Sequence, residues 1–422
     1  MKGYCSAVKI ANFIYLIACL FFPLFWWPMP SVFSELEYNA IGVGFSLMLW
    51  PWVILHSRIG SRLFVVLSVG AMIWLGVYLL AFFVHRNVET FVPHLYNVVF
   101  LFSLSAWGVW TAVLLKSDEK LVVRRALSVL SFSFVIMLFL YVGPSSIVEI
   151  FKSVISLDVE RVGHLVRINL GKHHYLNGKA LVNVSAVTNV VGQHLLSFGG
   201  LVLFMVLVSR KKGWVDYVSV VVFSVSFCLS VTLLSGQSML QLIVIVSSSL
   251  AYLIRNRILY GFSISFSFVG LLLLIAYLGR ETPFMTAMID RLKSGNVSTG
   301  RVDRVIYFFN NIEYSVTGSG KPMLDPHNLL LSLVWDVGLV GGVGCLVMFV
   351  ILLGAGFYLL KASCVNEKLF VVLSLAAILN ILIVCAIGGG YGYPGLSGMM
   401  HLAVLFYSLE MTIRDTGFVV ER

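Results

Sequence analysis

Leu63 to Val84 reads LFVVLSVGAMIWLGVYLLAFFV, a run without a single charged side chain, and its reading decides the fold. At about 1.5 Å of rise per helical residue, such a run crosses the roughly 30 Å hydrocarbon core of a bilayer. Arg58 and Arg62 stand just before it, and similar apolar runs recur along the chain. Of 422 residues, 59% are hydrophobic and 11% charged, against roughly 25% charged in soluble domains. The expected fold is all-α: a polytopic helical membrane protein of about 12 transmembrane helices. The spans are read at 7–27, 38–56, 63–84, 95–115, 126–143, 181–208, 217–234, 236–254, 259–278, 328–352, 369–387 and 398–411. They make one integral-membrane domain over 1–422, with two larger external loops, 144–180 and 279–327, that carry short interfacial helices.

Charge placement gives the orientation. With the N-terminus inside, the cytoplasmic segments collect Lys2, Lys9, Arg58, Arg62, Lys116, Lys120, Arg124, Arg125, Arg210, Lys211, Lys212, Arg255, Arg257, Lys361, Lys368, Arg414 and Arg422. The short external connections 28–37, 85–94, 235 and 388–397 contain only Arg86. This asymmetry is the positive-inside signature, and it places both termini in the cytoplasm. The net charge of +10 is therefore read as orientation, not as a nucleic-acid surface. The first apolar run reads as a span rather than a cleavable signal peptide. No pair among Cys5, Cys19, Cys228, Cys345, Cys364 and Cys385 has metal-ligand spacing, so neither zinc nor a disulfide framework is expected.

The two large loops break the charge rule. The first carries Lys152, Arg161, Arg167, Lys172 and Lys179, with His164, His173 and His174; the second carries Arg280, Arg291, Lys293, Arg301, Arg304 and Lys321. Loop solubility is one reading, and an anionic ligand on the outer face is the other. Residues 146–157 and 301–312 mix apolar and charged residues at helical spacing. In the second, Val305, Phe308, Phe309 and Ile312 recur at i, i+3, i+4 and i+7, and Arg301 and Arg304 are expected on another face. Such a helix would lie on the bilayer surface.

Polar residues inside so apolar a chain are functional candidates by default. They concentrate in 299–342, TGRVDRVIYFFNNIEYSVTGSGKPMLDPHNLLLSLVWDVGLVGG. Arg301 follows Gly300 at a helix start, where free N–H groups and the guanidinium fork together favour a phosphate. Pairing of Arg301 with Asp303 or Asp290 is the structural alternative. Gly318-Ser319-Gly320 reads as a tight turn. Asp325 is a plausible N-cap ahead of Pro326, and His327 and Asn328 then head the tenth span. A histidine titrating near pH 6.5 serves as a general base or acid near neutrality, or merely caps a helix at the interface. Asp336 lies within that span and needs a partner. Asn183, Ser185, Thr188, Asn189, Gln193 and His194 make the sixth span polar, as a cavity opening outward or as interhelical hydrogen bonding.

The segment 299–342 resembles the C-terminal signature of the O-antigen ligase and O-antigen polymerase superfamily. In that pattern a Gly-Arg opens a periplasmic helix, a Gly-x-Gly turn follows, and His-Asn heads the next span with a glycine downstream. The matching residues here are Gly300-Arg301, Gly318-Ser319-Gly320, His327-Asn328 and Gly338, with the family's ten-residue gap between His327 and Gly338. A second arginine in the preceding large loop is best matched by Arg167, with Arg161 and Lys172 close by. The motif covers about a tenth of the chain. Two departures stand out. Position 305 is Val where the ligases carry Leu, and Arg301 and His327 are only 26 apart, a compactness closer to the polymerases.

The resemblance implies a metal-independent, inverting glycosyltransferase of the bacterial inner membrane that works at the periplasmic face in O-antigen and lipopolysaccharide biosynthesis, with no cofactor. Its donor would be an undecaprenyl-diphosphate-linked glycan. Arg301 and Arg167 would hold the diphosphate with help from Arg304 and Lys172. His327 would be the general base, Asp325 and Asn328 would orient it, and Gly318 and Gly320 would let backbone approach the substrate. Implied partners are the lipid bilayer and the chain-length regulator and flippase of the same pathway, with no nucleic acid. O-antigen polymerase is the reading preferred, with ligation to lipid A-core as the alternative. A twelve-span transporter or flippase is the rival class, resting on Arg58-Ile59-Gly60-Ser61-Arg62; that motif's acidic residue and a long central cytoplasmic loop are missing.

Overall fold

A computed structural model describes residues 2–21, 38–85, 91–117, 119–142, 144–156, 213–232, 301–311 and 395–415. It also describes 158, 161, 165, 202, 205, 206, 318, 331, 334, 335, 338–344, 347, 350, 351 and 354. The described residues are helical, with no strand among them. They form α1 (Lys2–Phe21), α2 (Tyr38–Leu47), α3 (Trp50–His56), α4 (Gly60–His85), α5 (Phe91–Lys116), α6 (Lys120–Val142), α7 (Pro144–Ile155), α8 (Trp214–Thr232), α9 (Arg301–Asn310) and α10 (Gly395–Asp415). Among them, Gly60–Val77 and Val98–Lys116 are long and apolar enough to cross a membrane, and shorter apolar stretches run over Ser6–Phe21, Ile41–His56 and Trp214–Ser226. The spans read at 236–254, 259–278 and 369–387 lie outside the described residues, as does most of 181–208.

The interval 38–56, read as one span, is two helices. Pro51 lacks an N–H, and its ring meets the carbonyl of the residue four before it, which is Leu47, the last residue of α2. Ser46 Oγ turns back to the Gly42 carbonyl at 2.8 Å, and Leu49 N reaches Ser46 O at 3.1 Å, which tightens the break. Helical bonding resumes with Val53 N to Leu49 O at 3.0 Å.

α5 is the centre. It packs against α2, α3, α4, α6 and α10, and Leu104, Trp107, Trp110 and Leu114 are fully enclosed in it. Its closest approach is to α10. A Cβ added at Gly108 would stand 2.2 Å from the Ala403 carbonyl oxygen, so the two backbones touch there. α1 lies on α2 and α6, and α8 and α7 lie on α6. Across the α1–α5 seam, Tyr15 Oη and Thr111 Oγ1 are 2.9 Å apart. Trp107 Nε1 donates to Cys19 Sγ at 3.3 Å, and the Tyr15 and Trp107 rings stack at 5.8 Å.

One end of this bundle is tied by a buried carboxylate. Glu410 of α10, fully enclosed, accepts from Ser57 Oγ at 2.8 Å and from the Arg58 and Ile59 amides at 3.0 and 3.2 Å. Arg414, one turn on, pairs with Glu410 and donates to the His56 carbonyl at 2.6 Å. Ser57 Oγ in turn accepts from Gly60 N at 2.9 Å, which caps α4.

Candidate functional site

α9 opens at Arg301, and Asp303 in its first turn complements the positive end of the helix. Its last turn is closed by Asn311. The backbone N–H of Asn311 reaches Phe308 O at 3.0 Å, and its Nδ2 donates to Tyr307 O at 2.8 Å, which satisfies carbonyls that a helix end leaves open. The side chains of α9 sort into unlike faces. Phe308 is buried against Val334 and Trp335, with Leu331 partly buried beside them. The Phe308 and Trp335 rings are 6.3 Å apart, and the Tyr307 and Trp335 rings 6.0 Å apart.

This corrects two sequence expectations. Phe309 does not join Phe308 on the inner stripe but is 56% exposed, because a 100° step per residue turns it away and only Phe308 reaches the Trp335 cluster. Arg301 and Arg304 stand seven and four residues before Phe308, the register of one helix face. The arginine positions thus share the face of Phe308 rather than occupying another.

The Phe308 contact joins two pieces of the sequence motif. Val334 and Trp335 follow closely on His327-Asn328, so the helix that opens at Arg301 lies against the segment those residues lead. Gly318 and Gly338 have φ of 76° and 77°, and both are buried. Only glycine takes that conformation without a steric penalty, which accounts for glycine at two positions of the motif. Gly344 faces α4, where an added Cβ would lie 3.8 Å from the Trp74 ring.

Of the remaining candidates, Arg167, Lys172, Gly320, Asp325, His327, Asn328 and Asp336 lie outside the described residues. In the first loop, the helix read at 146–157 is observed as α7, with Ile147 and Ile150 packed on the core and Val148, Phe151 and Ile155 exposed. Asp158 Oδ1 accepts the Arg161 amide at 3.0 Å, and Arg161 is exposed. Among the described residues, no three His, Cys, Asp or Glu side chains gather as a metal-binding set would.

Sequence reasoning missed Glu410. The signal was present as a Glu–Arg pair four apart inside an apolar helix, of which only Arg414 was counted, as an orientation charge. Glu410 reaches the α3–α4 turn from α10, accepting from Ser57 Oγ and the Arg58 and Ile59 amides. Tyr307 and Trp335, whose rings stand 6.0 Å apart, were not singled out in the sequence. Compared with protein-family models and with curated proteins, the chain matches none.

Proposed function

We propose that this chain is a polytopic membrane glycosyltransferase of the bacterial inner membrane, acting on an undecaprenyl-diphosphate-linked oligosaccharide at the periplasmic face as an O-antigen repeat-unit polymerase. The observation that carries the reading is the packing of α9, opened by Arg301, on the segment that follows His327-Asn328. Positive φ at Gly318 and Gly338 supports it, since both glycines belong to the motif.

About 12 spans with cytoplasmic termini follow from the sequence reading, and the exposed apolar face of α4 supports a membrane placement. Val65, Val66, Met72, Ile73 and Phe83 of α4 are all exposed, which suits lipid and not water. The α3–α4 turn, the last turns of α5 and the end of α10 meet through Glu410, Arg414 and the His56–Trp110 ring contact at 5.9 Å. The start of α6 meets the start of α8 through Arg124 and Asp216, 3.9 Å apart. Arg58, Arg62, Lys116, Lys120 and Arg125 therefore gather at one end, as the positive-inside rule requires of a cytoplasmic face.

In the reaction, Arg301 and Arg167, with Arg304 and Lys172, hold the donor diphosphate and stabilise the charge that develops as it leaves; such preorganised donors supply the largest catalytic term in many enzymes. His327 takes the proton from the attacking sugar hydroxyl, worth about 10²–10⁴-fold. Asp325 and Asn328 orient it. The C–O bond to the diphosphate breaks as the new glycosidic bond forms, and one displacement inverts the anomeric carbon.

The test is a deletion strain whose lipopolysaccharide is run on a silver-stained gel, complemented with wild type, Arg301→Ala and His327→Ala. Core bearing a single repeat identifies a polymerase; bare core with long chains still on the carrier identifies a ligase. A normal ladder from both alanine variants would remove the proposed site, and an unchanged ladder on deletion would leave a different surface glycan or the transporter class.

A further inference from the structure

α9 shows more than a buried face and an arginine register. Ile306 and Phe309 are about half exposed and purely apolar, the composition of a surface set into lipid. Tyr307 lies off that patch and is 49% exposed. Its helical neighbours at i−4, i+3 and i+4 are Asp303, Asn310 and Asn311, with Asp303 and Asn310 exposed. Such neighbours stand about 5–6 Å apart on a helix, the scale on which a pyranose spreads its hydroxyls around an apolar ring face.

The chemistry of this face is specific. An exposed aromatic ring meets the C–H face of a sugar, and carboxylate and amide groups at its edge take the hydroxyls. Asn311 spends its Nδ2 on the Tyr307 carbonyl, leaving its Oδ1 as an acceptor. The ring is not loose. It lies 6.0 Å from the Trp335 ring at 42°, and Trp335 is buried with Phe308 behind it. A backed, half-open ring loses little side-chain freedom on binding. Ile306 and Phe309 suit lipid, and the acid and two amides around Tyr307 set its half-open ring among polar groups away from that patch.

From this juxtaposition we infer that Tyr307, with Asp303, Asn310 and Asn311 around it, is a sugar-stacking subsite for the glycan. It rests on the glycosyl-transfer reading and adds to it a site for the carbohydrate, on the same short helix as the diphosphate-binding arginines.

The test uses the full-length chain in lipid nanodiscs, with the repeat oligosaccharide released by mild acid from the host's own lipid-linked pool as probe. Binding is read by saturation-transfer NMR and titration for wild type, Tyr307→Phe, Tyr307→Leu and Asp303→Asn. Tyr307→Phe keeps the ring and holds affinity within about twofold, while Tyr307→Leu loses about tenfold, equivalent to about 1.4 kcal/mol. Asp303→Asn weakens binding by less than Leu does. Near-UV circular dichroism and the melting midpoint report that the variants are folded. Equal binding by Tyr307→Leu, with a change only in membrane partition, overturns the subsite in favour of an interfacial anchor. So does a wild type that binds no oligosaccharide. The gel with Arg301→Ala separates the two ideas: sugar binding lost at Tyr307→Leu alongside a normal Arg301→Ala ladder keeps the subsite and sinks the transfer mechanism.

Discussion

α4 and α5 are both 26 residues long and almost wholly apolar, yet 6% of the Gly60–Val77 stretch is buried and 72% of Val98–Lys116. Apolar composition therefore does not separate the rim of this bundle from its centre. What separates them is small and polar residues that find partners. α5 brings Gly108 to the α10 backbone, Trp107 to Cys19 and Thr111 to Tyr15. On α4, Gly70 and Gly76 have open space where a Cβ would go. On the proposed membrane placement, close packing and hydrogen bonds do the sorting that water does elsewhere.

The strongest way to break the comparison is at the base that both helices share. Glu410 holds the α3–α4 turn against α10, the helix that also lies on α5. Glu410→Ala leaves Ser57 Oγ and the Arg58 amide without their acceptor and takes one of two acceptors from the Ile59 amide and the Arg414 guanidinium, and removing one partner of a buried pair costs about 3–5 kcal/mol. Denaturant unfolding of the detergent-solubilised protein should show that loss, with Glu410→Gln falling between. A loss below about 0.5 kcal/mol, the range of ordinary surface substitutions, would mean that the turn is held by other contacts.

Glycine to alanine separates the two helices by sign. At Gly108 the new methyl meets the Ala403 carbonyl at 2.2 Å, backbone that cannot step aside, and overpacking of this kind costs about 1–3 kcal/mol. At Gly70 nothing lies within 4 Å, so Gly70→Ala should stabilise by up to about 1 kcal/mol through helix propensity. Thermal midpoints of the two variants moving the same way would remove the distinction drawn here between rim and centre.

Much of this was legible in sequence for a simple reason. Long apolar runs, and basic residues at their ends, mark helices without any knowledge of neighbours, so α4 and α5 stand close to the stretches 63–84 and 95–115. The break at Pro51 was also written in the chain, since proline excludes the carbonyl four residues back, but the apolar run over 38–56 hid it. Contacts over long separations were not legible. Nothing local to Ser57 announces a carboxylate 353 residues away, and nothing in Phe308 and Phe309 says which one Trp335 will cover. At the site, helix start and glycine positions could be read from Arg301, Gly318 and Gly338, and the face of the arginine positions follows from their spacing to Phe308, whereas the residues that cover Phe308 depended on packing.

The smallest effect expected is also the most discriminating test of how α5 is held. Tyr15→Phe removes the hydroxyl that meets Thr111 Oγ1 at 2.9 Å but keeps the ring stacked on Trp107. Thr111 still donates to the Trp107 carbonyl at 2.8 Å, so no hydroxyl proton is stranded. Interhelical hydrogen bonds in membrane proteins average about 0.6 kcal/mol, and a cycle of Tyr15→Phe, Thr111→Val and the double variant should return a coupling of that size. Zero coupling would mean that ring stacking and close backbone approach alone hold α5, and that its polar residues follow from burial rather than cause it. A coupling well above the average would place the α1–α5 seam beside Glu410 as a second polar fixture of the bundle.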